Sequence, residues 1–326
     1  MTAPGDAAAP FDTVTIVGLG LIGGSIGLAI QRSLPGVSVQ GFDADPEVRE
    51  TARRRGLAHR VPDTVEEAVA DTDLVILCVP VRAMGAAAAD MADALPSHCI
   101  ISDVGSCKAS VAEAIGAALP AHTIIPAHPV AGTEHSGPEA GFASLFDNRW
   151  CILTPPDGAD EEAVARLSAL WSAMGATVER MDAEHHDLVL AVTSHVPHLI
   201  AYTIVGTASD LEEVTRGEVI KYSAGGFRDF TRIAASDPTM WRDVFLSNKQ
   251  AVLEILQRLS EDLSAMQRAI RWGDGDALFE RFSQTRAIRR SIIEEGQDDA
   301  RPDFGRGDHL SGRPGNDEDE GDTPTR

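Results

Sequence analysis

The segment TVTIVGLGLIGGSIGLAI, residues 13–30, leaves few folds open. An apolar, β-branched run leads into Gly18, Gly20 and Gly23 and passes straight into a second apolar run of helical spacing. Glycines at this spacing serve a strand that turns sharply into a helix. The first permits the turn, the second lets another group approach the backbone, and the third lets helix and strand pack closely. The helix then presents unpaired N–H groups and the positive end of its dipole, a setting that suits an anion. The same alternation continues through the first half. VSVQGFD, TDLVILCVP, CIISDVG, HTIIPAHP and RWCILTPP read as strands, with alanine-rich stretches such as AMGAAAADMADAL between them. The helix EEAVARLSALWSAMG and the strand ATVERM close this part near residue 181. The pattern predicts α/β architecture, a Rossmann-type doubly wound parallel sheet over residues 12–181.

From Ala183 the periodicity becomes that of long helices. AEHHDLVLAVTSHVPHLIAYTIVGTA reads as helix throughout despite Pro197, and Pro238 suits a helix start. A long amphipathic run to Trp272 follows, with Trp241, Phe245, Val252, Leu256, Leu259, Leu263, Met266 and Ile270 recurring every three, four or seven residues. After WGDGD, DALFERFSQTRAIRRSIIEE is a further helix. Residues 182–295 are therefore expected to be an all-α domain. Its apolar surface exceeds what one small domain buries, so a homodimer through these C-terminal helices is expected. Residues 1–11 and the acidic tail 296–326 are expected to be disordered.

A formal net charge of -22 argues against nucleic acid as a partner. Lysine occurs only as Lys108, Lys221 and Lys249; an acidic, lysine-poor composition fits a high-salt cytoplasm and equally a biased genome. Cys78, Cys99, Cys107 and Cys151 are scattered, with no metal-ligand spacing, which fits a reduced, cytoplasmic protein. With no run of about 18 apolar residues and no signal-like N-terminus, no membrane association is expected.

Asp43 ends the second strand in VQGFDADPE and completes the dinucleotide pattern begun by Gly18, Gly20, Leu21, Ile22 and Gly23. A carboxylate there accepts hydrogen bonds from ribose hydroxyls and repels a 2′-phosphate, which favours NAD over NADP. The competing readings are a solvated turn aspartate and a glycine turn that binds nothing.

The segment AHPVAGTEHSGPEAGFASLF, with VGLGLIGGS, LVILCVP, SDVGSCK, TSHVPH and GGFRDFTRIAASDPTMW in the same order, resembles the prephenate/arogenate dehydrogenase family over residues 12–295. That resemblance implies oxidation of a cyclohexadiene: hydride leaves C4 for the nicotinamide, the hydroxyl loses its proton, and the ring carboxylate departs as CO2. Such chemistry needs an acceptor at the hydroxyl, cationic or donor groups for two carboxylates, and a dry face beside the nicotinamide. His128 matches the family histidine at the hydroxyl, and it lies at the carboxyl end of an expected parallel strand. Ser106 matches the serine that holds hydroxyl and nicotinamide, although a serine there could also cap a helix. Arg232 matches the arginine that binds a substrate carboxylate, and Asp229, one helical turn before it, could pair with it. Thr133 and Glu134 resemble residues at the pocket mouth, Glu134 being expected to hold an arginine. His198 matches the position near the substrate side chain and favours prephenate, a dianion, over arogenate. Trp241 matches a pocket tryptophan, though its place on an apolar face suits plain packing equally. His195 and His198 lack a third ligand for zinc. His185, His186 and Lys108 read as solvated helix-start residues. No chorismate mutase or ACT segment accompanies these motifs, so any tyrosine feedback would be competitive. An arogenate dehydrogenase and a non-catalytic NAD(H)-sensing module remain the alternatives.

Overall fold

A computed structural model describes residues 9–133, 135–210 and 225–294. Strands β1 (Thr13–Val17), β2 (Ser38–Phe42), β3 (Leu74–Leu77), β4 (Ile100–Asp103) and β5 (Thr123–Ile124) form a parallel sheet in the order β2-β1-β3-β4-β5. Their crossovers carry α1 (Leu21–Ser33), α2 (Pro46–Arg55), α3 (Val65–Val69), α4 (Met84–Met91) and α5 (Ala109–Ala118). Alternation within the strands explains the two cores. Val14, Ile16, Leu74 and Ile76 point into one, and Val17, Val75, Leu77 and Ile101 into the other. Helix starts are set by side chains where the sequence supplies them: Asp45 accepts from the Glu47 amide before α2, with Pro46 at the first helical position. Such a cap contributes about 1 kcal/mol.

HTIIPAHP is not one strand. Pro126 lacks a ladder donor, and the chain leaves the parallel sheet there. β6 (Ala127–Pro129) joins β7 (Trp150–Leu153) and β8 (Thr177–Arg180) in a second sheet, β6 antiparallel and β8 parallel to β7. His128 therefore sits on a short antiparallel strand, opposite Ile152, rather than at the end of a parallel one. The helix α6 (Glu161–Ala173) connects β7 to β8.

The expected long helix from Ala183 is three pieces, α7 (Ala183–Leu190), a π-turn over Ala191–His195 and α8 (Val196–Ser209). The widened turn lies immediately before Pro197, whose ring and missing N–H do not fit an ordinary α-ladder. This rod is long and apolar enough to cross a membrane by length and composition, contrary to the expectation that no segment is. It nevertheless carries buried His186, Asp187 and His195. Further on lie α9 (Gly225–Thr231), α10 (Pro238–Ser247), α11 (Lys249–Trp272) and α12 (Gly275–Glu294). The run expected as one helix from Pro238 breaks at Asn248, and Gly273, at φ 68°, marks the break before α12.

Packing divides the chain inside α11, into one unit ending at Gln257 and another starting at Arg258. Residue 181 is no gap in packing, because α7 and α10 rest directly on the loop after β4. Phe11, placed in the expected disordered N-terminus, is instead a core residue beneath the Arg166 guanidinium. In the second unit, Arg281 of α12 pairs with Asp262 of α11 at 2.8 Å. The acidic tail, 296–326, lies outside the described residues.

Candidate active site

Gly18 sits at φ 101°, and a Cβ there would lie 2.6 Å from the Cys78 carbonyl oxygen. A Cβ on Gly23 would lie 1.9 Å from the Gly18 carbonyl oxygen, so turn and helix touch backbone to backbone. At Gly20, by contrast, nothing lies within 4 Å of a would-be Cβ, and this residue begins α1 without a side-chain cap. Open space before uncapped amides, with Leu21 and Ile22 in the first turn, fits a pyrophosphate. Asp43 accepts from the Leu19 amide at 2.8 Å and the Asp45 amide at 3.0 Å, which locks the end of β2 to the glycine turn. The donor set fits a dinucleotide of the NAD type.

A ladder of buried polar groups stands behind His128. Asp187 accepts the Lys108 amide at 2.7 Å and the Ala109 amide at 3.0 Å, thereby capping α5 from another helix. Ser106 does not cap this helix; no side chain of the N-cap residue does. The same carboxylate lies 2.9 Å from His186 Nδ1, and His186 Nε2 lies 2.8 Å from His128 Nδ1. These contacts fix both tautomers. The carboxylate can only accept, so His186 carries its proton on Nδ1 and accepts at Nε2. His128 must then donate from Nδ1, which leaves Nε2 as a lone pair. Burial, aided by His186, Lys108 and His195, holds the His128 pKa well below its ordinary value. The ring is neutral near pH 7 and able to take a proton.

His186 and Lys108 are thus not solvated helix-start residues; both are fully buried, while His185 is exposed as expected. Lys108 Nζ donates to Asp103 and, at 2.6 Å, to the carbonyl of Ala127, the residue before His128. Burial raises the Asp103 pKa and the ammonium opposes that rise. An apolar strand ending in aspartate, CIISDVG, held a signal for this pair; HHD at a helix start held one for the ladder.

The structure brings His195, His198 and Trp241 together. The His198 ring stacks on Trp241 at 3.7 Å, and His195 meets it edge-on at 6.1 Å. Asn248 donates to the Asp187 carbonyl at 2.7 Å and sits 3.1 Å from His195 Nδ1, so His195 carries its proton on Nε2. Burial pushes its pKa down to about 4. Trp241 packs with Cys107 and Val244, yet its indole N–H has no partner among the described residues. It serves packing and still has a donor to offer. Arg232, exposed at the start of a short 3-10 turn, is near enough to His198 to oppose its protonation. Asp229 pairs with Arg228 at 3.4 Å rather than with Arg232. Thr133 accepts from the His135 amide, making a local turn. Glu134 lies outside the described residues.

Residues 26–180 match the family model for the prephenate dehydrogenase nucleotide-binding domain, and residues 182–284 that for its dimerization domain. The chain belongs to the prephenate dehydrogenase family. Within it, cyclohexadienyl dehydrogenase of Zymomonas mobilis is 45% identical over 86% of this chain and 96% of its own. Prephenate dehydrogenase of Bacillus subtilis is 35% identical over 86% of this chain and 76% of its own. Among solved structures, prephenate dehydrogenase from A. aeolicus in complex with hydroxyphenyl propionate and NAD+ superposes with a TM-score of 0.81. That match is 32% identical and covers 86% of this chain and 98% of the other. The family's two-part plan thus runs through the whole histidine-bearing region, His128 in one part and His186, His195 and His198 in the other.

Proposed function

We infer that the protein catalyses the NAD-dependent oxidative decarboxylation of prephenate to 4-hydroxyphenylpyruvate. The carrying observation is the Asp187–His186–His128 ladder, which presents a neutral imidazole lone pair from a buried position. NAD, when bound, supplies the acceptor for the C4 hydride. As the C4–H bond breaks, the hydroxyl proton passes to His128 Nε2. The bond from the ring to its carboxylate then breaks, CO2 leaves, its electron pair makes the ring aromatic, and the phenolic oxygen regains the proton. Arg232 and the Trp241 N–H are the groups we assign to substrate carboxylates, with Ser106 beside the hydroxyl and Thr133 at the pocket mouth. We further propose a cytoplasmic homodimer. Its support is apolar surface on the helical region, with Val192, Ile204, Val205, Leu246 and Leu253 exposed in the single chain.

One observation favours arogenate as a second reading. His198 donates from Nδ1 to the Ser194 carbonyl at 2.8 Å, and burial lowers its pKa, so the neutral ring offers Nε2 as an acceptor. An acceptor suits an ammonium better than a keto oxygen. NADH formation with purified protein, prephenate and arogenate in parallel and NAD or NADP in each, decides between them. Turnover of prephenate with NAD, lost in His128→Ala while NAD still binds, supports the first reading. Turnover of arogenate alone supports the second, and NAD binding without turnover of either supports a sensing role.

A further inference from the structure

The loop that leaves His128 is anchored at its far end by a separate set of contacts. The last turn of α2 carries Arg53, Arg54 and Arg55. Arg55 grips the loop by its backbone: one guanidinium nitrogen donates to the Pro138 carbonyl, and the other to the Gly141 carbonyl at 2.9 Å. Glu139, between them, pairs with Arg54 and lies 3.6 Å from Arg55 Nε. Beside this grip, the Phe142 amide donates to Ser25 Oγ of α1 at 3.0 Å. Gly141 lies so close to α1 that a Cβ on it would stand 3.2 Å from the Gly24 carbonyl carbon. Ser25 and Gly24 belong to the same helix whose first turn forms the glycine cradle. The substrate-side loop thus hangs between two fixed points, the β6 strand under His128 and the α1–α2 pair that bears the cofactor loop.

We propose that Arg55, with Arg54, Glu139 and Gly141, forms a positioning clamp that sets the placement of residues 130–133 and 135–137 beside His128, so that substrate affinity depends on it while cofactor affinity does not. The proposal rests on the reading of His128 and its loop as the substrate site. A guanidinium fork suits the task because it fixes two carbonyls at once, which a lysine ammonium cannot do with the same geometry. The contacts these residues make are with the loop backbone, with each other and with α1, so their effect is through the loop.

The test uses Arg55→Ala, Arg55→Lys and Gly141→Ala in the full chain, with steady-state kinetics at saturating NAD, NAD titration, melting temperature and hydrogen exchange of peptides spanning 130–142. Gly141 has φ -67° and ψ 141°, which alanine tolerates, so any effect there reports the methyl crowding the α1 backbone at Gly24 and Ser25 and pushing the loop off it. The expected result for Arg55→Ala and Gly141→Ala is a rise in KM for the oxidised substrate of about five-fold or more, with kcat and NAD affinity within about two-fold. Amides of the loop exchange faster, and Arg55→Lys restores part of the loss. An unchanged KM overturns the proposal. So does a parallel fall in NAD affinity, melting temperature and substrate affinity, which is the signature of a purely structural contact. If the wild-type enzyme turns over neither prephenate nor arogenate, the functional reading fails on its own. Loop exchange then decides the clamp: unaltered exchange in both alanine variants refutes it.

Discussion

His186→Phe is the sharpest probe of the ladder. The substitution keeps a flat ring in a fully buried site but removes two contacts, 2.8 Å to His128 Nδ1 and 2.9 Å to Asp187. Asp187 keeps the Lys108 and Ala109 amides, so the cap on α5 survives. His128 loses its Nδ1 partner, and the loss is felt most when the ring is cationic and donates a charge-assisted bond. Bonds of that kind are worth about 1.5–3 kcal/mol. Converted at 1.36 kcal/mol per decade, kcat/KM falls by about 10- to 150-fold. Steady-state NADH formation at saturating NAD measures it, with NAD titration as the control, since the glycine cradle is untouched. A kcat/KM within about two-fold of wild type would refute the idea that His186 sets the tautomer of His128. Equal losses in NAD affinity and turnover would refute it too, by showing a general collapse.

Three further outcomes follow from burial and close contact. His195, with a pKa pushed to about 4 against an unfolded value near 6.5, binds fewer protons folded than unfolded in that window, so stability rises with pH across it. Acidification from about pH 6.5 to 4 should remove on the order of 3 kcal/mol in denaturant titrations, and His195→Asn should flatten that slope. Gly20→Ala should fold with a near-normal melting temperature but bind NAD at least about ten-fold more weakly, because its methyl occupies the open space before the amides. Gly23→Ala, whose methyl would strike the Gly18 carbonyl, should lose NAD binding and melting temperature together.

The glycine turn, Asp43 and the first four parallel strands were legible because each follows from a local rule about backbone conformation or strand alternation. The lone histidine at position 128 was legible as a site residue only through the motif around it. Its supporting groups were legible only as residue types, in HHD and in the aspartate of CIISDVG, since nothing local marks His186 as buried and its neighbour His185 as exposed. That difference arises when α7 docks on the start of α5 and Asp187 takes up two orphan amides. Lys108 misled for the same reason: a lysine at a helix start is normally solvated, and its ammonium is buried here only because Asp103 and the Ala127 carbonyl converge on it. Asp229 misled because proximity is not pairing. A spacing of three brings it near Arg232, but this exposed carboxylate turns to its neighbour Arg228 instead.

The charges around His128 carry one consequence for the order of events. His186 and His195 are neutral near pH 7, Asp187 is spent on two amides and His186, and Lys108 presents its ammonium beneath the strand. In the free enzyme this setting, with burial, opposes a proton on His128. A bound dianion reverses the sign of the local field and raises the proton affinity of the same ring. The base therefore becomes stronger when substrate is present. Since the deprotonated ring is the active form, the acid limb of kcat/KM, which reports the free enzyme, should lie below pH 6.5. The acid limb of kcat, which reports the complex, should lie at higher pH than that of kcat/KM. Coincident limbs, or a kcat limb at the lower pH, would mean that the substrate carboxylates sit too far from His128 to act on it, with Arg232 and Trp241 screening them fully.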